Sequence, residues 1–112
     1  MKIKIIFWIS LLLISSCSNE EKTISKIKEI DQSKEMILTY REAYEALEKN
    51  DPFYAAKKFL EAELLYPQSI WAPKSALMAS YSYYLQNYYA EALINLERYL
   101  KTYPTDVNHA YA

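Results

Sequence analysis

The chain has 112 residues, 13 of them Lys or Arg and 14 Asp or Glu, for a formal net charge of -1. That balance excludes the basic field that carries nucleic-acid binding, and it argues against a polybasic membrane clamp. Glycine is absent, where ordinary usage would give about 8, so phosphate-cradling and dinucleotide loops are excluded; one Cys and one His supply neither a His/Cys metal site nor a disulfide frame.

Residues 1–16 read as a signal peptide. Lys2 and Lys4 open it, and Ile5 to Ile14 is apolar apart from Ser10. This run is shorter than the roughly 20 residues a membrane-spanning helix needs and has the length of a signal-peptide core. Ile14-Ser15-Ser16-Cys17 follows. It resembles the bacterial lipobox, which implies diacylglycerylation of Cys17, cleavage before it and acylation of the new amine. Several acyl chains anchor stably where one does not. Ser18 stands where an Asp would favour retention in the inner membrane of enteric bacteria, so the expected location is the outer membrane, lipid-anchored on its periplasmic side. Removing residues 1–16 takes away two lysines and no acid, so the mature chain is more acidic.

Residues 17–33 read as the lipidated cysteine and a flexible tether. Charges of both signs are mixed there, and Ile24, Ile27 and Ile30 offer only a weak helical turn.

Residues 34–112 carry a repeat. A shift of 37 positions lays Ala43 on Ser80, Tyr44 on Tyr81, Asn50 on Asn87, Ala55 on Ala92, Phe59 on Leu96, and Tyr66-Pro67 on Tyr103-Pro104. A period of this size signals stacked units. Each unit reads as two helices, near 34–49 and 52–66, then near 70–86 and 88–103. Asp51 is a good N-cap with Pro52 at the first helical position. Ser69 caps the third helix, with Pro73 in its first turn. Pro67 and Pro104 end the helices before them. Ala55, Phe59, Ala62 and Tyr66 share one helix face, repeated by Ala92, Leu96, Tyr99 and Tyr103. Small Ala43 and Ser80 mark close approaches to Ala55 and Ala92.

This pattern resembles the tetratricopeptide repeat, which implies an all-α solenoid of helical hairpins with repeats at about 34–69 and 70–106. Three departures stand out. Tyr99 replaces a small residue, Pro52 replaces an aromatic with Phe53 one position late, and the usual turn glycine is Asn50 or Asn87.

A narrower resemblance rests on Ala55-Ala56-Lys57-Lys58-Phe59, Glu63, Tyr66-Pro67-Gln68-Ser69-Ile70-Trp71-Ala72, Leu77-Met78, Tyr81-Ser82-Tyr83-Tyr84, Tyr89-Ala90-Glu91-Ala92, Glu97-Arg98-Tyr99 and Tyr103-Pro104. Over residues 36–112, with the lipobox in front, the chain is similar to the BamD (YfiO) family of outer-membrane assembly lipoproteins. Family members carry about five repeats, so two repeats and the start of a third at His109-Ala110-Tyr111-Ala112 imply an N-terminal part. By the same resemblance, the half not represented would be the one that, in the family, meets the barrel-forming subunit and a companion lipoprotein.

The resemblance implies a non-catalytic scaffold with no cofactor beyond the lipid on Cys17. Its partners would be other subunits of the β-barrel assembly machine, unfolded outer-membrane protein segments, and the membrane through its anchor. The runner-up is another periplasmic repeat lipoprotein that organises envelope biogenesis. The first helices of such repeats line a groove, expected here from Tyr40, Tyr44, Leu47 and Glu48, then Lys74, Leu77, Tyr81 and Tyr84. Tyrosine gives stiff apolar area with a polar tip, suited to extended, aromatic-ended peptides. Some of these tyrosines are equally suited to packing. Trp71 is expected at the inter-repeat seam and His109 at the surface. Glu61, Glu63, Glu91 and Glu97 read as scattered surface acids, and Lys57 and Lys58 as a solvated face. Leu93, Leu96 and Leu100 are expected to be exposed on the last helix.

Overall fold

The computed structural model describes residues 21–112, with side chains from 29 onward. The signal segment and Cys17 lie outside the described residues. Four helices follow one another: α1 Glu21–Glu48, α2 Pro52–Leu65, α3 Trp71–Leu85 and α4 Tyr89–Thr102, then a 3₁₀ turn His109–Tyr111. Each helix packs on the next, α1 on α2, α2 on α3 and α3 on α4. These are the expected helical hairpins, and the described residues include no strand.

The helix ends have local causes. Asp51 caps α2, its carboxylate accepting the Tyr54 amide at 3.1 Å, with Pro52 at the first position. The Ser69 hydroxyl accepts the Ala72 amide at 3.2 Å at the start of α3. Helices α2 and α4 stop at Leu65 and Thr102, just ahead of Pro67 and Pro104.

The two hairpin turns are the same turn made twice without glycine. Asn50 and Asn87 both have φ of 60°, the left-handed region glycine usually fills and Asn tolerates best among the rest. The Asn50 amide donates to the Leu47 carbonyl and the Asp51 amide to that of Ala46; Asn87 and Tyr88 donate in the same way to Tyr84 and Tyr83. This is the Schellman arrangement, which uses carbonyls the helix leaves free. Asn87→Ala should therefore destabilise by about 1 kcal/mol, the cost of a Cβ without a compensating polar group in this region. Asn87→Gly should be neutral or mildly stabilising, and thermal melts of the two variants check the pair.

Helix α1 corrects the expected tether. It runs from Glu21, well before the expected start near residue 34, through most of the segment read as flexible. No Gly or Pro interrupts residues 21–48, and once Met36, Thr39, Ala43 and Ala46 bury one stripe, propagation towards the N-terminus adds one backbone bond per residue fixed.

Small residues set the packing distances. The core joins Ala43 and Ala46 of α1, Ala55 and Phe59 of α2, and Ala79 of α3, with Tyr40, Leu47, Leu60 and Met78 packed around them. Ala43 and Ala55 are fully buried, as expected for a close helix crossing. Helix α3 lies between α2 and α4 and buries Ala72, Ser75, Ala76, Ala79, Ser80 and Ser82. Ser80 and Ser82 give their hydroxyls to the carbonyls of Ala76 and Met78.

One acid is misplaced by the sequence reading. Glu63 is buried, 4% exposed, rather than on the surface. Arg98 of α4 grips it with two bonds of 2.6 and 2.7 Å, and the Tyr103 hydroxyl donates to it at 2.7 Å. The signal is absent from either residue alone, because it depends on bringing α2 and α4 together. Burial first, then the bond to Glu63, pushes the Tyr103 hydroxyl well above its ordinary pKa. Tyr99 is fully buried and donates to Asp106 at 2.5 Å; this bond, more than any other contact, holds the Asp106 carboxyl below its usual range. Tyr99 thus ties α4 to the segment after it, which explains a large residue at a position where Ala62 serves in the first repeat.

Lys58 also departs from a solvated face. It pairs with Glu42 at 3.3 Å and Glu61 at 3.0 Å, while the Tyr54 hydroxyl donates to Glu42 at 2.6 Å.

Candidate functional site

Among the clefts of the described residues, two are lined by expected groove tyrosines. The first, about 250 Å³, is lined by Ile37, Tyr40, Arg41, Tyr44 and Trp71. The Tyr40 ring stands edge-on to Phe59 at 5.1 Å and to Trp71 at 5.2 Å between centroids. Burial raises its hydroxyl pKa, with the Tyr44 hydroxyl a smaller cause. The Lys74 ammonium lies 4.9 Å from the centre of the Trp71 ring, a cation–π distance.

The second cleft is larger, about 590 Å³. Leu77, Met78, Tyr81 and Tyr84 of α3 form one wall, and Tyr89, Ala92, Leu93 and Leu96 of α4 another; Asn108 and Tyr111 close one end. Tyr84 and Tyr89 lean together at 5.6 Å.

The clefts are the same station in successive repeats. The 37-residue shift carries Tyr40, Arg41, Tyr44 and Trp71 onto Leu77, Met78, Tyr81 and Asn108, all of which line the second cleft. Its α4 wall maps onto Pro52, Ala55, Ala56 and Phe59, which are buried in the first repeat. That difference makes the second cleft wider. Leu93 is 60% exposed, as expected; Leu96 is partly buried within the cleft, and Leu100 is partly buried outside it.

The expected groove residues divide among these places. Tyr44 lines the first cleft, with Lys74 over its Trp71 wall; Leu77, Tyr81 and Tyr84 line the second. Tyr40 both packs the core and edges the first cleft. Leu47 packs against the core, and Glu48 is exposed on the surface; neither lines either of these two clefts. Trp71 packs against Tyr40 as a seam residue and also presents cleft surface. Arg41, Met78 and Tyr89 line the clefts without having been expected as groove residues. His109 is partly buried, with its ring Nε2 3.3 Å from the Leu100 carbonyl. Among the described residues no three His, Cys, Asp or Glu side chains gather as metal ligands.

Comparison with known families decides the relationship. A model described as YfiO, outer membrane lipoprotein, matches residues 31–112. The chain belongs to the YfiO family of outer membrane lipoproteins. The YfiO match covers both repeats and both clefts. Curated relatives carry the name outer membrane protein assembly factor BamD. The one from Caulobacter vibrioides is 28% identical over 99 residues, covering 88% of this chain and 32% of the relative. Those from Neisseria meningitidis serogroup A and Neisseria gonorrhoeae are each 30% identical over 109 residues, covering 97% of this chain and 41% of the relative. The chain therefore spans about a third to two fifths of the length of these YfiO-type relatives. No solved structure matches it.

Proposed function

We propose that the chain works as a non-catalytic, lipid-anchored scaffold in the assembly of outer-membrane β-barrel proteins. In this reading Cys17 carries the lipid, and the two clefts hold unfolded barrel segments while other parts of the assembly machine dock elsewhere. The relatives' shared name, assembly factor, supports the role. The observation that carries the binding reading is the recurrence of one aromatic cleft at a one-repeat interval, with Tyr44 and Tyr81 each 50% exposed at equivalent positions. An extended segment crossing both clefts would place one apolar side chain in each, with Arg41 beside the first and the polar tips of Tyr81 and Tyr84 beside the second.

Full-length protein purified from membranes should bring barrel-assembly subunits with it. Replacing Tyr81 and Tyr84 together by alanine should weaken capture of extended, aromatic-ended barrel segments by about thirty- to several-hundred-fold, because truncating interface aromatics commonly costs about 1–2 kcal/mol each. Both side chains are half-exposed, so the melting curve should stay put. Unchanged affinity in a folded double variant would refute the groove.

A further inference from the structure

The two clefts differ in charge. Arg41 lines the first, and the Lys74 ammonium stands over its aromatic wall, 4.9 Å from the centre of the Trp71 ring and 5.9 Å from that of Tyr40. The 37-residue shift carries Arg41 onto Met78 and Lys74 onto Tyr111, and both of these line the second cleft. No charged side chain lines that cleft. The repeat thus builds one station twice and puts cations at the first alone.

Those cations are not taken up by acids of the domain. Among the described residues the ion pairs join Lys58 to Glu42 and Glu61, and Arg98 to Glu63, so neither Arg41 nor Lys74 takes part. No acid lines the first cleft. Along α1, Glu42 is held by Lys58 and Tyr54, and Glu45 and Glu48 are exposed outside the cleft. An aromatic wall with a guanidinium beside it and an ammonium over it offers a surface for a ring and an edge for a carboxylate together. An extended segment meets that combination most directly at its C-terminus. Its successive side chains point to opposite faces, so an acid next to an aromatic residue points away from the cleft that holds the ring. The carboxylate of a terminal aromatic residue hangs on the same Cα as the ring and stays with it.

We infer that the first cleft takes the C-terminal residue of the bound segment, its ring against Tyr40 and Trp71 and its α-carboxylate against Arg41 and Lys74, while the uncharged second cleft takes an apolar side chain further upstream. The segment therefore lies in one direction only, its end on the first repeat and the rest leading across α3 to α4. Charge at one cleft and none at the other fixes the register, as complementary charge does at interfaces generally. The inference rests on the segment binding proposed above and adds to it a direction and a requirement for a free chain end.

The test measures binding of the full chain to an extended peptide of alternating apolar and polar residues that ends in Phe and carries a fluorophore at its N-terminus. The free acid should bind about five- to tenfold more tightly than the C-terminal amide at low ionic strength, and the ratio should shrink as salt is added, because both cations are exposed and screened. In the Arg41→Met/Lys74→Met variant, which keeps the apolar stems, the two peptides should bind within about twofold of each other. A photoreactive phenylalanine at the peptide's end should cross-link to α1 or Trp71, and one placed upstream to α4. Equal binding of acid and amide by the unaltered chain would overturn the inference, and so would the reverse cross-linking map. An amidated peptide with Glu two residues before its end that binds as tightly as the free acid would overturn it too, by assigning the cations to a side chain. If acid and amide bind equally and Tyr81→Ala/Tyr84→Ala still weakens both, segment binding stands and the direction alone falls; if neither peptide binds, both fall.

Discussion

Arg98→Met should lower the stability of the repeat domain by about 3 kcal/mol, because it strands a buried carboxylate. Glu63 has a side chain only 6% exposed, whereas that of Arg98 is 39% exposed, so the penalty falls mainly on the acid. Its one remaining partner among the described residues would be the Tyr103 hydroxyl. Arg98→Lys should recover part of the loss: it restores the charge without the planar fork that meets both carboxylate oxygens. The double variant Glu63→Leu/Arg98→Met should be more stable than Arg98→Met alone, since it leaves no buried charge. Denaturant melts of the three variants at neutral pH decide the matter. A double variant less stable than the single one would show that the pair stabilises by more than mutual neutralisation.

Phe59→Ala should cost about 3–5 kcal/mol, the range for removing a fully buried aromatic side chain. Phe59 is 0% exposed and sits among Ala43, Ala46, Ala55 and Ala79. Four alanines cannot reach inward to refill the space, so the cavity persists and the cost lies towards the upper end. Tyr40 loses its edge-on neighbour at the same time, so the first cleft should loosen. Thermal unfolding measures the energy, and Tyr40 ring-proton shifts report the cleft. A loss below about 1 kcal/mol would mean that the helices collapse around the gap.

The fold was legible because its determinants are local. Asp51-Pro52, Ser69, Pro67 and Pro104 act on their own neighbourhoods, and the alanine positions recur at a fixed interval. The start of α1 was not legible, because mixed charges with isolated isoleucines suit a tether as well as a helix, and docking of residues 36–46 tips that choice. The clefts were half legible. The 37-residue shift carries Tyr40 and Tyr44 onto Leu77 and Tyr81, and all four line the two clefts, whereas Leu47 packs against the core although its counterpart Tyr84 lines the second cleft. The Glu63–Arg98 pair was invisible, since its members lie 35 positions apart on helices that do not follow one another.

That pair changes how the domain comes apart. In a stacked-repeat protein, stability is approximately a sum over units and their immediate neighbours, so the end unit can peel away while the rest persists. Here α4 is fastened to α2, two helices back, by a bond that skips α3. Releasing α4 uncovers the charge inside α2, and an opening that begins at one end is felt in the middle of the stack. The two hairpins are thereby welded into a single cooperative unit: amide protection in α4 should rise and fall with that of α2, and the clefts on either side of α3 should keep a fixed separation as long as the domain is folded.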